Sequence, residues 1–181
     1  MKRVLCLIDS MGSGGAQRQI AGLACLLRAA GYGVKVVWYH TEDFYKSTLD
    51  TNGVEYSNII LKGAFAKAKG VLNEIRKYDP DVVISYLDGP CFIACLGKIL
   101  GYRYRLIVSE RNTTQHLTFK EKLKFFLYRA ADFIVPNSVS QQKFIEANYP
   151  NLSAKVRTIT NFVDLDTFKP QTNENASINF C

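Results

Sequence analysis

The stretch DSMGSGGAQ at 9–17 places Gly12, Gly14 and Gly15 directly before a run with helical periodicity. Glycines allow a tight turn and let a ligand approach the backbone closely. A helix starting there would aim its free N–H groups and positive dipole end at the same point. That arrangement suits a phosphate or diphosphate, and it equally suits a plain strand-to-helix turn. A dinucleotide fingerprint fits poorly. It needs Gly or Ala where Gln17 stands, and an acidic residue about 20 positions on, whereas Glu42 and Asp43 come too late. No Gly-Lys-Ser/Thr element exists for a triphosphate loop.

Three further loops carry polar groups. Glu110, Arg111 and Asn112 stand in a row and offer an acceptor, a fixed cationic fork and an amide, which together can read hydroxyls and a phosphate. Asp88 lies in the loop YLDGP at 86–90, and Asn137-Ser138 follow Pro136. Ser138 can also serve simply as a helix N-cap.

The elements that must position these loops alternate between strand and helix. Short Val/Ile-rich runs at 4–8, 34–39, 54–61, 81–86, 105–109, 133–136 and 156–159 read as strands. Helical spacing at 14–31, 65–77, 90–100, 119–131 and 138–148 separates them. The pattern predicts an α/β fold, a Rossmann-like, doubly wound parallel sheet covered on both faces, with ligands beyond the carboxyl ends of its strands. In the helix at 119–131, Phe119, Leu123, Phe126, Leu127 and Ala130 form the expected buried side. Lys120, Lys122, Lys124 and Arg129, with Phe125 and Tyr128, form the expected outer face, suited to an anionic bilayer surface.

Composition narrows the class. The chain is 48% hydrophobic and 22% charged, as expected of a globular domain, and its net charge of +7 favours an anionic partner. The apolar run after Lys2-Arg3 ends at Asp9, so it reads as a short buried strand rather than an export signal. No run approaches the roughly 20 apolar residues that cross a bilayer. Cys6, Cys25, Cys91, Cys95 and Cys181 have apolar neighbours and no CxxC spacing, and His40 and His116 are far apart. The cysteines read as reduced core residues, and no metal site is expected. A phosphoacceptor domain would need Asp at the end of the third strand, where Leu61-Lys62 stand.

Three segments resemble the family-4 retaining glycosyltransferases: SGGAQRQI at 13–20, ADFIVPNSVSQQKFI at 131–145, and the crossover segment TITNFVDLDTFKP at 158–170. The resemblance implies the N-terminal half of a GT-B fold, in the branch that assembles surface polysaccharide and other glycans. It implies an acceptor-binding domain at 1–160, a crossover linker at 161–177 and the start of a donor-binding domain at 178–181. By it, Gly14, Gly15, Ala16 and Gln17 face the donor diphosphate. Glu110 and Arg111 become the catalytic candidates, and Asp88, Asn112, Asn137 and Ser138 the acceptor-binding ones. Many members carry Glu where this chain has Gln17, and many carry a His after the fifth strand, where this chain has Glu110-Arg111-Asn112. The implied partners are a nucleotide sugar, held by a second domain, and a sugar or lipid-linked sugar acceptor at the inner face of the cytoplasmic membrane. No nucleic acid, cofactor or metal is implied, and the fragment alone is expected to be inactive.

Overall fold

The computed structural model describes residues 1–111 and 118–163. Six strands form one parallel sheet: β1 (Arg3–Leu7), β2 (Gly33–Trp38), β3 (Glu55–Asn58), β4 (Val82–Tyr86), β5 (Arg105–Glu110) and β6 (Phe133–Pro136). Their order is β3-β2-β1-β4-β5-β6, with every neighbouring pair parallel. The chain winds outward from β1 to β3, returns to β4 beside β1, and winds outward again. The direction therefore reverses between β1 and β4, and the loops leaving these two strands part there to open a crevice.

The connecting helices are α1 (Gly15–Ala29), α2 (Lys46–Thr51), α3 (Ala64–Tyr78), α4 (Asp88–Ile99), α5 (Phe119–Leu127) and α6 (Val139–Asn148). Alternation along β1 divides the core. Val4, Cys6 and Ile8 point into a cluster with Ile20 and Ala24 of α1. Leu5 and Leu7 point into a cluster with Val71 of α3, Cys91 and Cys95 of α4, and Phe125 of α5. Burial on both faces explains why the strands read as continuous apolar runs. Lys35, buried within β2, is held by Glu74 at 2.6 Å and Glu55 at 2.9 Å.

The expected elements are present with shifted ends. The third strand is shorter than 54–61, the helix expected at 90 begins at Asp88, and the short α2 is additional. In place of a strand at 156–159, Val156 bridges Ile134, and the amides of Arg157 and Ile159 donate to the carbonyls of Ile134 and Pro136. Cys6, Cys25, Cys91 and Cys95 are free thiols. Burial pushes Cys6 and Cys95 up to about 12 and raises the other two, which leaves them unreactive near neutral pH.

Candidate functional site

Four strand ends meet at one rim. A cavity of about 250 Å³ there is lined by Gly15 and Ala16 of α1, Leu87 after β4, Arg111 after β5, Asn137 after β6, and Asn161. The structure thus brings together four residues singled out from sequence: Gly15, Ala16, Arg111 and Asn137.

The glycine loop is shaped around Gln17. Its amide Nε2 donates to Ser10 Oγ at 3.2 Å and lies 3.5 Å from Asp9 Oδ1, while Asp9 Oδ1 also accepts from the Ser10 amide. A Cβ on Gly14 would sit 2.3 Å from Gln17 Oε1, so Gly14 makes room for that inward fold; at Gly15 the space is open. Gln17 therefore braces the loop from within. Gly14 is the N-cap of α1 and supplies no side-chain acceptor, and the first turn has no acidic residue. A helix start of this kind can receive an anion at its free N–H groups.

Arg111 is the cation of the rim. Its guanidinium stacks over the Tyr86 ring at 4.0 Å and donates from an Nη to Asn161 Oδ1 at 2.6 Å. Its Nε is buried and has no acceptor among the described residues. Burial lowers its pKa, with Tyr86 acting in the opposite sense, and a guanidinium still keeps its charge. A partly desolvated planar fork of this kind matches a phosphate or carboxylate. Beside it, Leu87 has φ of 72°, an uncommon backbone state for a side chain larger than glycine, and it turns β4 sharply into α4.

The remaining candidates lie elsewhere. Glu110 is turned into the interior, where its carboxylate meets Lys124 Nζ at 3.0 Å. Asp88, half-buried in the first turn of α4, pairs with Lys120 at 3.3 Å and Lys124 at 3.8 Å. Ser138 Oγ accepts from the Gln141 amide, so it is the N-cap of α6. Asn112 lies outside the described residues.

The expected face of α5 is corrected. Phe125, Tyr128 and Lys124 are buried, whereas Phe119, Leu123 and Phe126 are 83%, 47% and 61% exposed. Phe125 stacks on Tyr149 with ring centroids 4.3 Å apart and meets Tyr128 edge-on. Lys124 is tied to Glu121 at 2.7 Å as well as to Glu110. Both faces of this helix carry aromatics and lysines at helical spacing, so periodicity alone does not choose between them. The carboxylates at the end of β5 and the start of α4 are both within reach of Lys124, which is the buried lysine of the helix. Lys120, Lys122 and Arg129 remain exposed around the apolar surface.

Asn161, Leu87 and Tyr86 belong to the rim, and none of the three was singled out from sequence as a site residue. A stacked tyrosine and a positive φ leave no trace in spacing. Asn161 lies in the crossover segment, whose motif signalled it only as part of a linker.

The family assignment rests on the sequence model of Glycosyltransferase Family 4, which matches residues 13–167. The chain belongs to that family. A Campylobacter jejuni relative, N-acetylgalactosamine-N,N'-diacetylbacillosaminyl-diphospho-undecaprenol 4-alpha-N-acetylgalactosaminyltransferase, is 27% identical over 92% of this family-4 chain. A second enzyme of that organism, GalNAc-alpha-(1->4)-GalNAc-alpha-(1->3)-diNAcBac-PP-undecaprenol alpha-1,4-N-acetyl-D-galactosaminyltransferase, is 28% identical over 72% of it. The chain spans 49% and 38% of their lengths. Among solved structures, Anabaena HepE in complex with UDP and glucose superposes with a TM-score of 0.77 at 16% identity, covering 96% of this chain and 48% of that one. A glycosyltransferase from Rickettsia africae gives 0.74 at 18%, covering 97% and 46%. At those identities the likeness establishes the fold alone: the N-terminal Rossmann-like half of GT-B.

Proposed function

We propose that this chain is the acceptor-side half of a retaining glycosyltransferase that moves a sugar from a nucleotide diphosphate to a sugar carried on a polyprenyl diphosphate. The observation that carries the proposal is the rim cavity, where the uncapped start of α1 and the Arg111 fork face the same space. The relatives' names supply the substrate class: both act on undecaprenol-diphosphate-linked sugars.

In such a transfer the bond between the sugar's anomeric carbon and the diphosphate oxygen breaks, and negative charge gathers on the leaving phosphate. Donors already aimed at that position lower the barrier because they need no reorganisation. In our reading the amides at Gly15 and Ala16 together with Arg111 are this half's donors. They carry the charge stabilisation here without a metal. Asn137, which lines the same cavity, is assigned to orienting an acceptor hydroxyl. Glu110, bonded to Lys124 in the interior, is assigned to holding α5 against β5 and not to the reacting atoms.

The test is an enzyme of the relatives' full length given UDP-N-acetylhexosamines and a polyprenyl-diphosphate-linked sugar. The expected result is sugar transfer with retained anomeric configuration, whereas the 181-residue chain alone turns over nothing and binds nucleotide sugars weakly. Tight nucleotide-sugar binding by the chain alone would contradict this division of labour.

We further propose that α5 rests on an anionic membrane. Among the described residues no helix is long and apolar enough to cross a bilayer. The exposed Phe119, Leu123 and Phe126, with Ile99 beside Phe126 and Lys122 and Arg129 at the margin, suit a surface contact. Phe119→Ser with Phe126→Ser should reduce binding to phosphatidylglycerol vesicles by on the order of tenfold or more. Lys122→Glu with Arg129→Glu should reduce it chiefly at low salt. Co-sedimentation that both pairs leave unchanged would remove α5 from the membrane contact.

A further inference from the structure

The backbone following Ile159 is not a plain linker. Gln19, 3% exposed on α1, spends both ends of its amide on one residue: Nε2 donates to the Phe162 carbonyl at 2.8 Å, and Oε1 accepts from the Phe162 amide at 3.0 Å. One turn further along α1, the Phe162 ring lies over Gly22, where a Cβ would come within 2.3 Å of its Cζ. The positions i and i+3 share one helix face. Gln19 thus pairs with Phe162 as a neighbouring strand would, and Gly22 leaves the seat that the ring fills.

One residue before this clasp, Asn161 Oδ1 accepts the hydrogen bond from Arg111. The guanidinium is therefore fixed on one edge by Asn161 and on one face by Tyr86. Its Nε stays desolvated and finds no acceptor among the described residues. A free arginine side chain has many rotamers, and holding the fork in place before an anion arrives removes that entropic cost from binding. The clasp at Gln19 sets the register that puts Asn161, and not Thr160 or Phe162, opposite Arg111.

We infer that Asn161 is a positioning residue of the rim site, that it aims the Arg111 fork at a diphosphate, and that Gln19 and Gly22 hold it there by clasping Phe162. The inference rests on the proposed function only for the identity of the anion. The orientation of Arg111 can be read without any ligand.

The test uses the 181-residue chain with inorganic pyrophosphate as the probe. Calorimetric affinity is compared for the wild type, Arg111→Ala, Asn161→Ala, Gln19→Leu and Gly22→Val. The heteronuclear NOE of the Arg111 Nε–Hε group reports its mobility, and amide exchange at Phe162 is followed beside that at Val36 in β2. Asn161→Ala and Gln19→Leu should each weaken pyrophosphate by about tenfold or more, the effect of losing one hydrogen bond to a charged group. Both should mobilise the Arg111 group, and Asn161→Asp, which keeps the acceptor oxygen, should restore its rigidity. Gln19→Leu and Gly22→Val should speed Phe162 exchange and leave Val36 protected, which separates loss of the clasp from unfolding. If Arg111→Ala abolishes binding while Asn161→Ala and Gln19→Leu leave affinity and NOE unchanged, the anion site stands and the positioning role is overturned. If Arg111→Ala leaves pyrophosphate binding unchanged, or the wild type binds none, the assignment of the anion to this rim fails. The NOE series then decides the positioning role by itself: an Arg111 group equally rigid in Asn161→Ala overturns it.

Discussion

Replacing Lys124 with methionine is expected to lower the free energy of unfolding by about 3–5 kcal/mol, the range found when one member of a buried ion cluster is removed. Methionine keeps most of the volume, so the loss comes from the charge. Lys124 is 1% exposed and faces Glu110, Glu121 and Asp88, and removing it takes from the buried Glu110 the ammonium 3.0 Å away. The same change at exposed Lys122 should fall within about 0.5 kcal/mol of wild type. Adding Glu110→Gln to Lys124→Met should recover part of the loss, because the stranded carboxylate is then neutral. The pH dependence follows from the direction of the shift. Burial opposes the ammonium, but Glu110, Glu121 and Asp88 outweigh it and the net pKa of Lys124 is raised. Its contribution is thus complete below the unfolded pKa of about 10.4 and is lost as pH climbs through the higher folded value. Urea titrations at pH 7 and above pH 10 give the measurement. A Lys124→Met protein within 1 kcal/mol of wild type at pH 7 would show that the cluster contributes little, against the ~3–5 kcal/mol expected.

In an enzyme of the relatives' full length, Arg111→Ala is expected to reduce kcat/KM by on the order of 10²–10³, the usual effect of removing a donor aimed at developing charge. Arg111→Lys should recover only a small part. A lysine carries the charge but not the planar fork, and it cannot stack flat on Tyr86 while bonding Asn161. The loss should fall mainly on kcat, because charge on the leaving phosphate peaks in the transition state. Lys122→Ala, on the exposed side of α5, serves as the control with unaltered kinetics in detergent. Steady-state kinetics in which Arg111→Ala stays within threefold of wild type would take Arg111 out of the transfer chemistry.

Both expectations turn on groups whose surroundings the sequence did not reveal. The segment 110–112 offered a carboxylate and a guanidinium as neighbours, and adjacent strand residues point to opposite faces. Glu110, the last residue of β5, faces inward to Lys124, and Arg111 turns outward to the rim. Where β5 ended decided which of the two served the site. Helix α5 shows the same dependence from the other side. Its residues fit two amphipathic faces, and the contacts with Glu110, Asp88 and Tyr149 select the one that buries Lys124 and Phe125.

What the sequence determined by itself was the layered α/β architecture, the glycine turn at the start of α1, and membership in a family whose motifs span most of the chain. These follow from local chemistry: β-branched runs fix strands, helical periodicity fixes the covering layers, and glycines permit a tight turn into α1. Only the tertiary structure decided which polar groups face the rim and which are sealed inside. Residues 19, 111 and 161 are far apart in the chain, and their meeting depends on the direction reversal between β1 and β4 and on the last described residues folding back across α1. Ion pairs and amide clasps of this sort are set by three-dimensional distance, and linear spacing carries no record of it.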